Sequence, residues 1–318
     1  MNRATTAILA GAAVVLALAL VFLSGGTRTG ARKFDEEPTV RLMVDETGRT
    51  QELSMEEYIM GVVGGEMGRL PAEDGGARDW PREAYAAQAI LARSFALNFL
   101  DEQGRVNIST DVLEAQAYRP ENITPAIREA VERTRGQVMV HNGSFVKAWF
   151  HSYSGGHTAT AKEGLNYQEE EPGFVQAVEL PENEYVPDEH RVWTASIPLS
   201  EVSEAVVELA DVGQVSDVEI LERGPSGRAT TIRVTGSRGS GEVHAADLRV
   251  ALDPERMKST LLDALDVQGG NLVMRGRGFG HGVGLSQWDA YKMAEEGKSA
   301  EEILRTFFRD IEIQKVWD

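Results

Sequence analysis

The chain of 318 residues contains no cysteine. Disulfide bridges, thiolate nucleophiles and metal centres with cysteine ligands are therefore excluded. Hydrophobic residues make up 42% of the sequence, which is enough for a sizeable core without covalent cross-links. The length allows one large domain or two of moderate size.

Positive charge is also scarce, because 32 Lys and Arg residues stand against 50 Asp and Glu residues. The formal net charge of −18 argues against a nucleic-acid partner, since such binding depends on neutralising phosphates with Lys and Arg. An anionic ligand would have to be held by local contacts rather than by the overall field of the protein.

Several common catalytic motifs are missing. The segment HSYSGGH at residues 151–157 contains neither the H-E-x-x-H of zinc proteases nor the G-x-S-x-G of a nucleophile elbow. The glycine-rich segment at residues 276–284 fits neither G-x-G-x-x-G nor the G-K-[ST] ending of a P-loop. Dinucleotide and P-loop nucleotide chemistry are therefore not indicated.

The N-terminus contains an apolar run at residues 7–23, followed by Ser24, Gly25 and Gly26. The run is between the length typical of a signal-peptide core and that of a membrane-spanning helix. Because no small-x-small cleavage site follows closely, we favour an uncleaved membrane anchor at residues 1–26 over a cleaved signal. A tether at residues 27–38 would then lead to a body outside the cytoplasm, in a single-pass membrane protein.

The body, residues 39–318, reads as an α+β fold. Ser54 and Glu57 form a capping box that begins a helix, and the Gly64-Gly65 pair is expected to end it. Asn142-Gly143 predicts a tight β-hairpin. Hairpins and helices are segregated with no βαβ alternation, so we expect antiparallel hairpins and helices around a substrate groove. An acidic, irregular stretch begins at Glu163, and an inserted subdomain is expected at about residues 163–260.

Two distant segments resemble a known family. They are EEYIMGVVGGEM at residues 56–67 and GRGFGHGVGLSQ at residues 276–287. Together they resemble the two signatures of the stage II sporulation protein D family, which also contains the amidase-enhancer proteins. The resemblance extends from about residue 40 to the C-terminus. It implies a protein that cleaves cell-wall glycan or helps another protein to cleave it.

The resemblance implies that Glu66 is the catalytic residue, because it falls on the family motif Gly-Val-Val-x-x-Glu-Met. From the residues alone, a glutamate behind two glycines is usually a solvated loop residue. Gly68 departs from the family, which usually has proline there. A proton-donating glutamate needs apolar surroundings that raise its pKa from about 4.3. One glutamate suffices for a lytic transglycosylase, in which the 6-hydroxyl of the sugar attacks the anomeric carbon. Four nearby carboxylates remain as alternatives for a second catalytic group: Glu73, Asp74, Asp79 and Glu83.

Other residues are expected to contact the substrate. Gln88 and Arg93 are polar positions in an apolar helix at residues 82–100 and match family positions, although either could instead be structural. The family also has a His-Ser-x-Ser-Gly-Gly segment, and the glycine-rich segment is expected to place His281 beside Glu66. The candidates from these two segments are His151, Ser152, Ser154, Gly155, Gly156, His281, Gly282 and Gln287.

The resemblance thus implies a lytic transglycosylase that cleaves peptidoglycan glycan strands during engulfment in sporulation and leaves anhydromuramyl ends. One alternative is a non-catalytic partner of a cell-wall amidase and other engulfment proteins. Another is a metallohydrolase that uses His151, His157 and His281. Some family members bind zinc through cysteine and histidine, but Ala115 stands where those members have cysteine. We therefore expect neither metal nor cofactor.

Overall fold

The computed structural model describes residues 31–43, 49–72, 74–102, 107–109 and 115–318. The expected anchor at residues 1–26 lies outside these ranges. Within them, no helix combines the length and the apolar character needed to cross a membrane.

The described residues form a mixed α+β structure of nine α-helices and sixteen short strands. The helices are α1 (Met55–Glu66), α2 (Arg82–Leu97), α3 (Pro125–Arg133), α4 (Ala161–Leu165), α5 (Asp188–Arg191), α6 (Leu199–Ala205), α7 (Ala245–Ala251), α8 (Gln287–Glu295) and α9 (Ala300–Phe307). A π-helical turn at Asn98–Glu102 continues α2. The strands are β1 (Thr39–Met43), β2 (Thr50–Ser54), β3 (Leu70–Pro71), β4 (Ala77–Arg78), β5 (Ile108–Ser109), β6 (Gln137–His141), β7 (Ser144–Phe145), β8 (Phe150–His151), β9 (Trp193–Pro198), β10 (Val215–Arg223), β11 (Ala229–Gly236), β12 (Gly239–His244), β13 (Leu262–Gln268), β14 (Asn271–Gly276), β15 (Leu285–Ser286) and β16 (Glu312–Lys315).

Helix α1 begins as expected but ends later. Both hydrogen bonds of the Ser54–Glu57 capping box are present. The Gly64-Gly65 pair lies inside the helix, which continues to Glu66. The glycines are needed because the chain crosses this face of α1. A Cβ atom on Gly65 would lie 2.5 Å from the carbonyl oxygen of Ala117, and one on Gly64 would lie 2.8 Å from that of Arg119.

The sheets are small, with two or three strands each. Three sheets are antiparallel throughout, namely β10-β11-β12, β13-β14-β9 and β16-β6-β7, and β3 pairs with β4 in the same way. The predicted hairpin of β6 and β7 is confirmed, with Asn142 and Gly143 both at positive φ. Strand β15 runs parallel to β8, which brings the glycine-rich segment beside the histidine segment.

The described residues contain two large hydrophobic cores. The first is built from residues before 187 and after 284, and α1 and α2 lie at its centre. The second lies between Trp193 and Met274. Its entering strand β9 pairs with its leaving strand β14, with Trp193 opposite Gly276, so the segment leaves the first core and returns at the same place. The second core begins and ends later in the chain than the expected 163–260, because the β13–β14 hairpin packs with β9.

Candidate active site

A groove of about 850 Å³ lies where the two cores meet. The end of α1 contributes Glu66 to its lining, and the face of α2 and the π-helical turn contribute Phe95 and Phe99. Residues 147–152, a segment that contains strand β8, form one wall. The lining also includes residues 279–281 of the glycine-rich segment, which lie beside His151, and Arg249 and Glu255 from the region of the second core. The groove therefore depends on both cores.

Glu66 is the last residue of α1 and lines this groove. Its Oε1 accepts a hydrogen bond of 2.6 Å from the backbone N–H of Ala117, which the glycines of α1 allow to come close. Burial raises the pKa of Glu66 to about 7, against the lowering effect of this hydrogen bond. A carboxyl group with that pKa is partly protonated near neutrality and can donate its proton.

Polar groups behind Glu66 fix the end of α1. The side chain of Gln287, at the start of α8, donates to the backbone carbonyl of Glu66 at 3.4 Å and also lines the groove. Gln116, which is 1% exposed, accepts a hydrogen bond of 3.4 Å from the hydroxyl of Tyr58. These contacts connect the last turn of α1, which carries Glu66, to α8 on one side and to the segment at residues 115–118 on the other.

One ring nitrogen of His151, a residue of the groove lining, has no hydrogen-bond partner among the described residues. Its Nδ1 lies 3.1 Å from the carbonyl oxygen of Val283, so Nδ1 must carry the proton and Nε2 the lone pair. Burial, and then the neighbouring His281 and Arg228, lower the pKa of His151 well below its usual value. Nε2 is buried and has no hydrogen-bond partner among the residues that the structure describes. His151 is therefore neutral, and its unsatisfied acceptor lies below the surface of the groove that the residue lines.

His281 shares the groove with Glu66, as the sequence led us to expect, but its ring is used internally. Its Nδ1 accepts the backbone N–H of Val283 at 3.0 Å, and the ring also makes a hydrogen bond with the backbone of Phe150. Burial and the nearby Arg249 lower its pKa to about 3, so the ring is neutral. Because the hydrogen bond to the Glu66 side chain comes from Ala117, His281 stabilises the loop and does not orient the acid.

The remaining candidates fall into two groups. Ser152 and Gln287 line the groove. Ser154 is fully buried and donates to Oδ2 of Asp289 at 2.6 Å, so it belongs to a polar network under the groove. The glycines serve the framework rather than the groove surface. A Cβ on Gly155 would lie 2.8 Å from Leu261, Gly156 is at positive φ, and a Cβ on Gly282 would lie 2.5 Å from the guanidinium of Arg228.

The expectation that Arg93 lines the groove is corrected. Its side chain is fully buried and pairs with Glu56, with Nη2 and Oε2 2.6 Å apart. The same guanidinium donates to the carbonyl oxygen of Val131 and to Thr134. Arg93 therefore joins α1, α2 and α3, and is the structural ion pair that the sequence left as an alternative.

Gln88 is also absent from the described lining of the groove. It is 1% exposed, and neither of its amide atoms has a partner within the described ranges. It lies two turns before Phe95 on α2, on the same face. Its position is therefore in the core below the groove.

Sequence reasoning missed several residues of the groove. Phe95 and Phe99 are one helical turn apart, a signal that could have marked a shared face. Lys147 and Trp149 alternate along an extended segment, which could also have been noticed. No local signal marks Arg249 and Glu255, because the second core brings them to the groove over more than 180 residues of sequence from Glu66.

The other carboxylates near Glu66 in sequence have different partners. Asp79 lies 3.5 Å from Arg69, Glu83 pairs with Arg133 at 2.7 Å, and Asp74 accepts the N–H of Gly76. Glu73 lies outside the described residues. Glu255 is instead a second carboxylate that lines the groove, at an exposed position on its rim.

The three histidines of the metallohydrolase alternative do not gather at one point. The rings of His151 and His281 are 5.6 Å apart, but His157 does not belong to the described groove lining. In the part of the chain that the structure describes, no three His, Asp or Glu side chains come together as a metal site requires.

Two family models match separate parts of the chain. Residues 44–141, which include Glu66, match the family model described as stage II sporulation protein. Residues 174–284, which include Arg249 and His281, match a model described as a domain of unknown function. The groove is therefore lined by residues from both matched regions.

Relatives match over most of the chain. Stage II sporulation protein D of Bacillus amyloliquefaciens is 27% identical over 309 residues, which cover 90% of this chain and 82% of that protein. An uncharacterized protein of Brachyspira hyodysenteriae is 29% identical, covering 82% of this chain and 67% of its own length. The amidase enhancer of Bacillus subtilis is 24% identical, over 72% of this chain and 37% of the enhancer. With Glu66 and the glycine-rich segment lining one groove, these matches support a relationship of the chain to the stage II sporulation protein D family.

Proposed function

We propose that this protein cleaves the glycan strands of peptidoglycan as a lytic transglycosylase, with Glu66 as its single acid and base. The observation that carries the proposal is the position of Glu66, which lines a large groove and has a pKa raised to about 7 by burial. A protonated carboxyl group in such a groove can protonate a glycosidic oxygen at neutral pH.

The proposed reaction returns Glu66 to its starting state. Glu66 gives its proton to the glycosidic oxygen as the bond to the anomeric carbon breaks. The 6-hydroxyl oxygen of the same sugar then bonds to the anomeric carbon, and its proton passes to the Glu66 carboxylate. The product is a 1,6-anhydromuramyl end, and no water is consumed.

Local charge supports an anionic glycan as the substrate. Although the chain carries a formal charge of −18, Lys147 and Arg249 both line the groove. Peptidoglycan strands bear carboxylates on their stem peptides or, once these are removed, on their muramyl residues, and cations in a partly buried groove attract them over a short range. These two residues offer the local contacts that the overall charge cannot provide.

We place this activity outside the cytoplasm, in wall remodelling during engulfment in sporulation, with residues 1–26 as the membrane anchor. A second candidate function is that of a non-catalytic partner of a cell-wall amidase. It is favoured by the match to a protein named amidase enhancer, although the chain spans only 37% of that protein.

Mass analysis of the ends released from purified glycan, with and without stem peptides, tests the proposal. The proposal predicts anhydromuramyl ends, which are lighter by one water than hydrolysed ends. Hydrated reducing ends would indicate a hydrolase that uses Glu255 as a second carboxylate. If the protein alone releases nothing but accelerates a purified cell-wall amidase, the partner function replaces the enzymatic one.

A further inference from the structure

We propose that a second cavity, next to the groove, is an additional sugar-binding subsite for the same glycan strand. This inference rests on the proposed function. The cavity has a volume of about 630 Å³, within the usual range for ligand sites. Two residues, Lys147 and Trp149, line both the cavity and the groove, so the two form adjoining parts of one surface.

The apolar side of the second cavity includes three half-buried aromatic rings in mutual contact: Trp149, Tyr167 and Phe174. The ring of Trp149 meets that of Tyr167 edge to face, with centroids 5.4 Å apart, and lies 6.3 Å from that of Phe174. Each of these residues is half-buried, so part of the aromatic surface stays accessible. Mutual contact fixes the rings, and a ligand can stack on them without first ordering them.

Polar groups complete the lining. Ser144 and Glu169 both border the cavity, and the hydroxyl of Tyr167 donates to Glu169 at 3.0 Å. A pyranose ring has one face of C–H groups and hydroxyls along its edge. Aromatic rings surrounded by hydroxyl and carboxylate groups match this chemistry, because the rings take the C–H face and the polar groups take the hydroxyls.

Lys147 gives the junction between the two spaces a positive charge. Its ammonium group lies 5.3 Å from the ring centre of Trp149 and 5.6 Å from that of Tyr167. These cation–π contacts hold the group near both cavities. A carboxylate on the sugar that passes this point would be attracted to it. The preferred occupant is thus a longer strand of amino sugars that carries carboxylates, rather than an isolated disaccharide.

Calorimetric binding of N-acetylglucosamine oligomers of two to six sugars tests the subsite. All variants carry Glu66→Gln, so that turnover does not affect the titration. Tyr167→Ala is expected to weaken binding of the hexamer about tenfold and that of the dimer less than twofold. Tyr167→Phe, which keeps the ring, should bind as its parent does. Tyr185→Ala is the matched control, because Tyr185 is an exposed tyrosine that does not line either cavity.

A second variant keeps the test decisive if Tyr167→Ala does not fold. Lys147→Gln should reduce the preference for muramyl-containing oligomers over uncharged ones of equal length, with the part that Arg249 contributes retained. Equal affinity of the parent for dimer and hexamer, or equal loss for both in Tyr167→Ala, would overturn the subsite while leaving cleavage at Glu66 intact. If the parent binds no oligomer of any length, the proposed function itself fails.

Discussion

Glu66 combines two features that rarely occur together, an accessible groove position and a carboxyl group that is costly to ionise. The cost comes from burial, and the single hydrogen bond from Ala117 offsets only part of it. Because its pKa is raised to about 7, Glu66 keeps its acid form at pH values at which an exposed glutamate is ionised.

The pH dependence of cleavage follows from this pKa. Since its pKa is about 7, Glu66 is protonated below pH 7 and loses its proton above it. We expect kcat/KM to fall about tenfold per pH unit above 7, and to stay level from about pH 6 downwards while the protein remains folded. A rate profile on purified glycan measures this. A bell-shaped profile with an additional fall near pH 4–5 would instead indicate a second essential carboxylate, such as Glu255.

His281 should behave as a structural residue. In His281→Ala the N–H of Val283 loses its acceptor, so we expect a loss of about 1–3 kcal/mol in the free energy of unfolding. Denaturant unfolding measures this value, with His190→Ala as a half-buried histidine control. If His281→Ala unfolds like the parent but turns over glycan more than a hundredfold more slowly, His281 acts directly on the substrate.

At the scale of elements, the sequence gives good guidance where a local interaction decides the structure. The capping box at Ser54 is confirmed, as are the Asn142-Gly143 hairpin and the long apolar helix α2. The shared groove of Glu66 and His281 could be expected because both lie in family motifs.

Local sequence signals do not predict the structure where contacts with a distant segment determine it. Gly64 and Gly65 predict a helix end, yet they lie within α1 and allow residues 117–119 to pack closely against it. Arg93 matched a groove position, yet its partner Glu56 lies 37 residues away and keeps it in the core. The limits of the second core depend on the pairing of β9 with β14, which no local pattern reveals.

Gly65→Ala tests the packing of this helix. Alanine is the better helix former by about 1 kcal/mol, but its Cβ would lie 2.5 Å from the carbonyl oxygen of Ala117. We expect the clash to dominate, with a net destabilisation of about 1–3 kcal/mol and a lower cleavage rate, because Ala117 moves away from Glu66. Thermal unfolding and rate assays measure both effects.

Gly76→Ala is the control, since only the flexible Asp74 side chain lies near that position. A Gly65→Ala protein as stable as its parent would contradict the tight contact.

For the whole molecule, the groove lies between two cores, and the second core contributes Arg249 to it. Besides its role in the groove, this guanidinium donates to the backbone carbonyl of Lys258 at 3.1 Å, which fixes its direction. The proposed function therefore requires Arg249 as a local cation for an anionic strand, because the protein as a whole is acidic.

Arg249→Gln should weaken binding of muramyl-containing glycan about tenfold and leave binding of uncharged N-acetylglucosamine oligomers within twofold. Raising the salt concentration should reduce the difference between variant and parent, because screening weakens the lost attraction. The control is Arg238→Gln, which changes an exposed arginine that pairs with Asp211 and does not line the groove. Equal losses for charged and uncharged oligomers would show that Arg249 acts through structure instead of charge.

The most direct measurement of the central claim compares Glu66→Gln with Glu255→Gln on the same purified glycan strands, with anhydromuramyl ends counted by mass. Glutamine keeps the size of Glu66 and its acceptor for the Ala117 N–H but cannot give up a proton at a useful rate. We predict that Glu66→Gln lowers cleavage by about 10²–10⁴-fold with folding and glycan binding preserved, while Glu255→Gln stays within about threefold of the parent. Cleavage by Glu66→Gln at the parental rate would contradict the account.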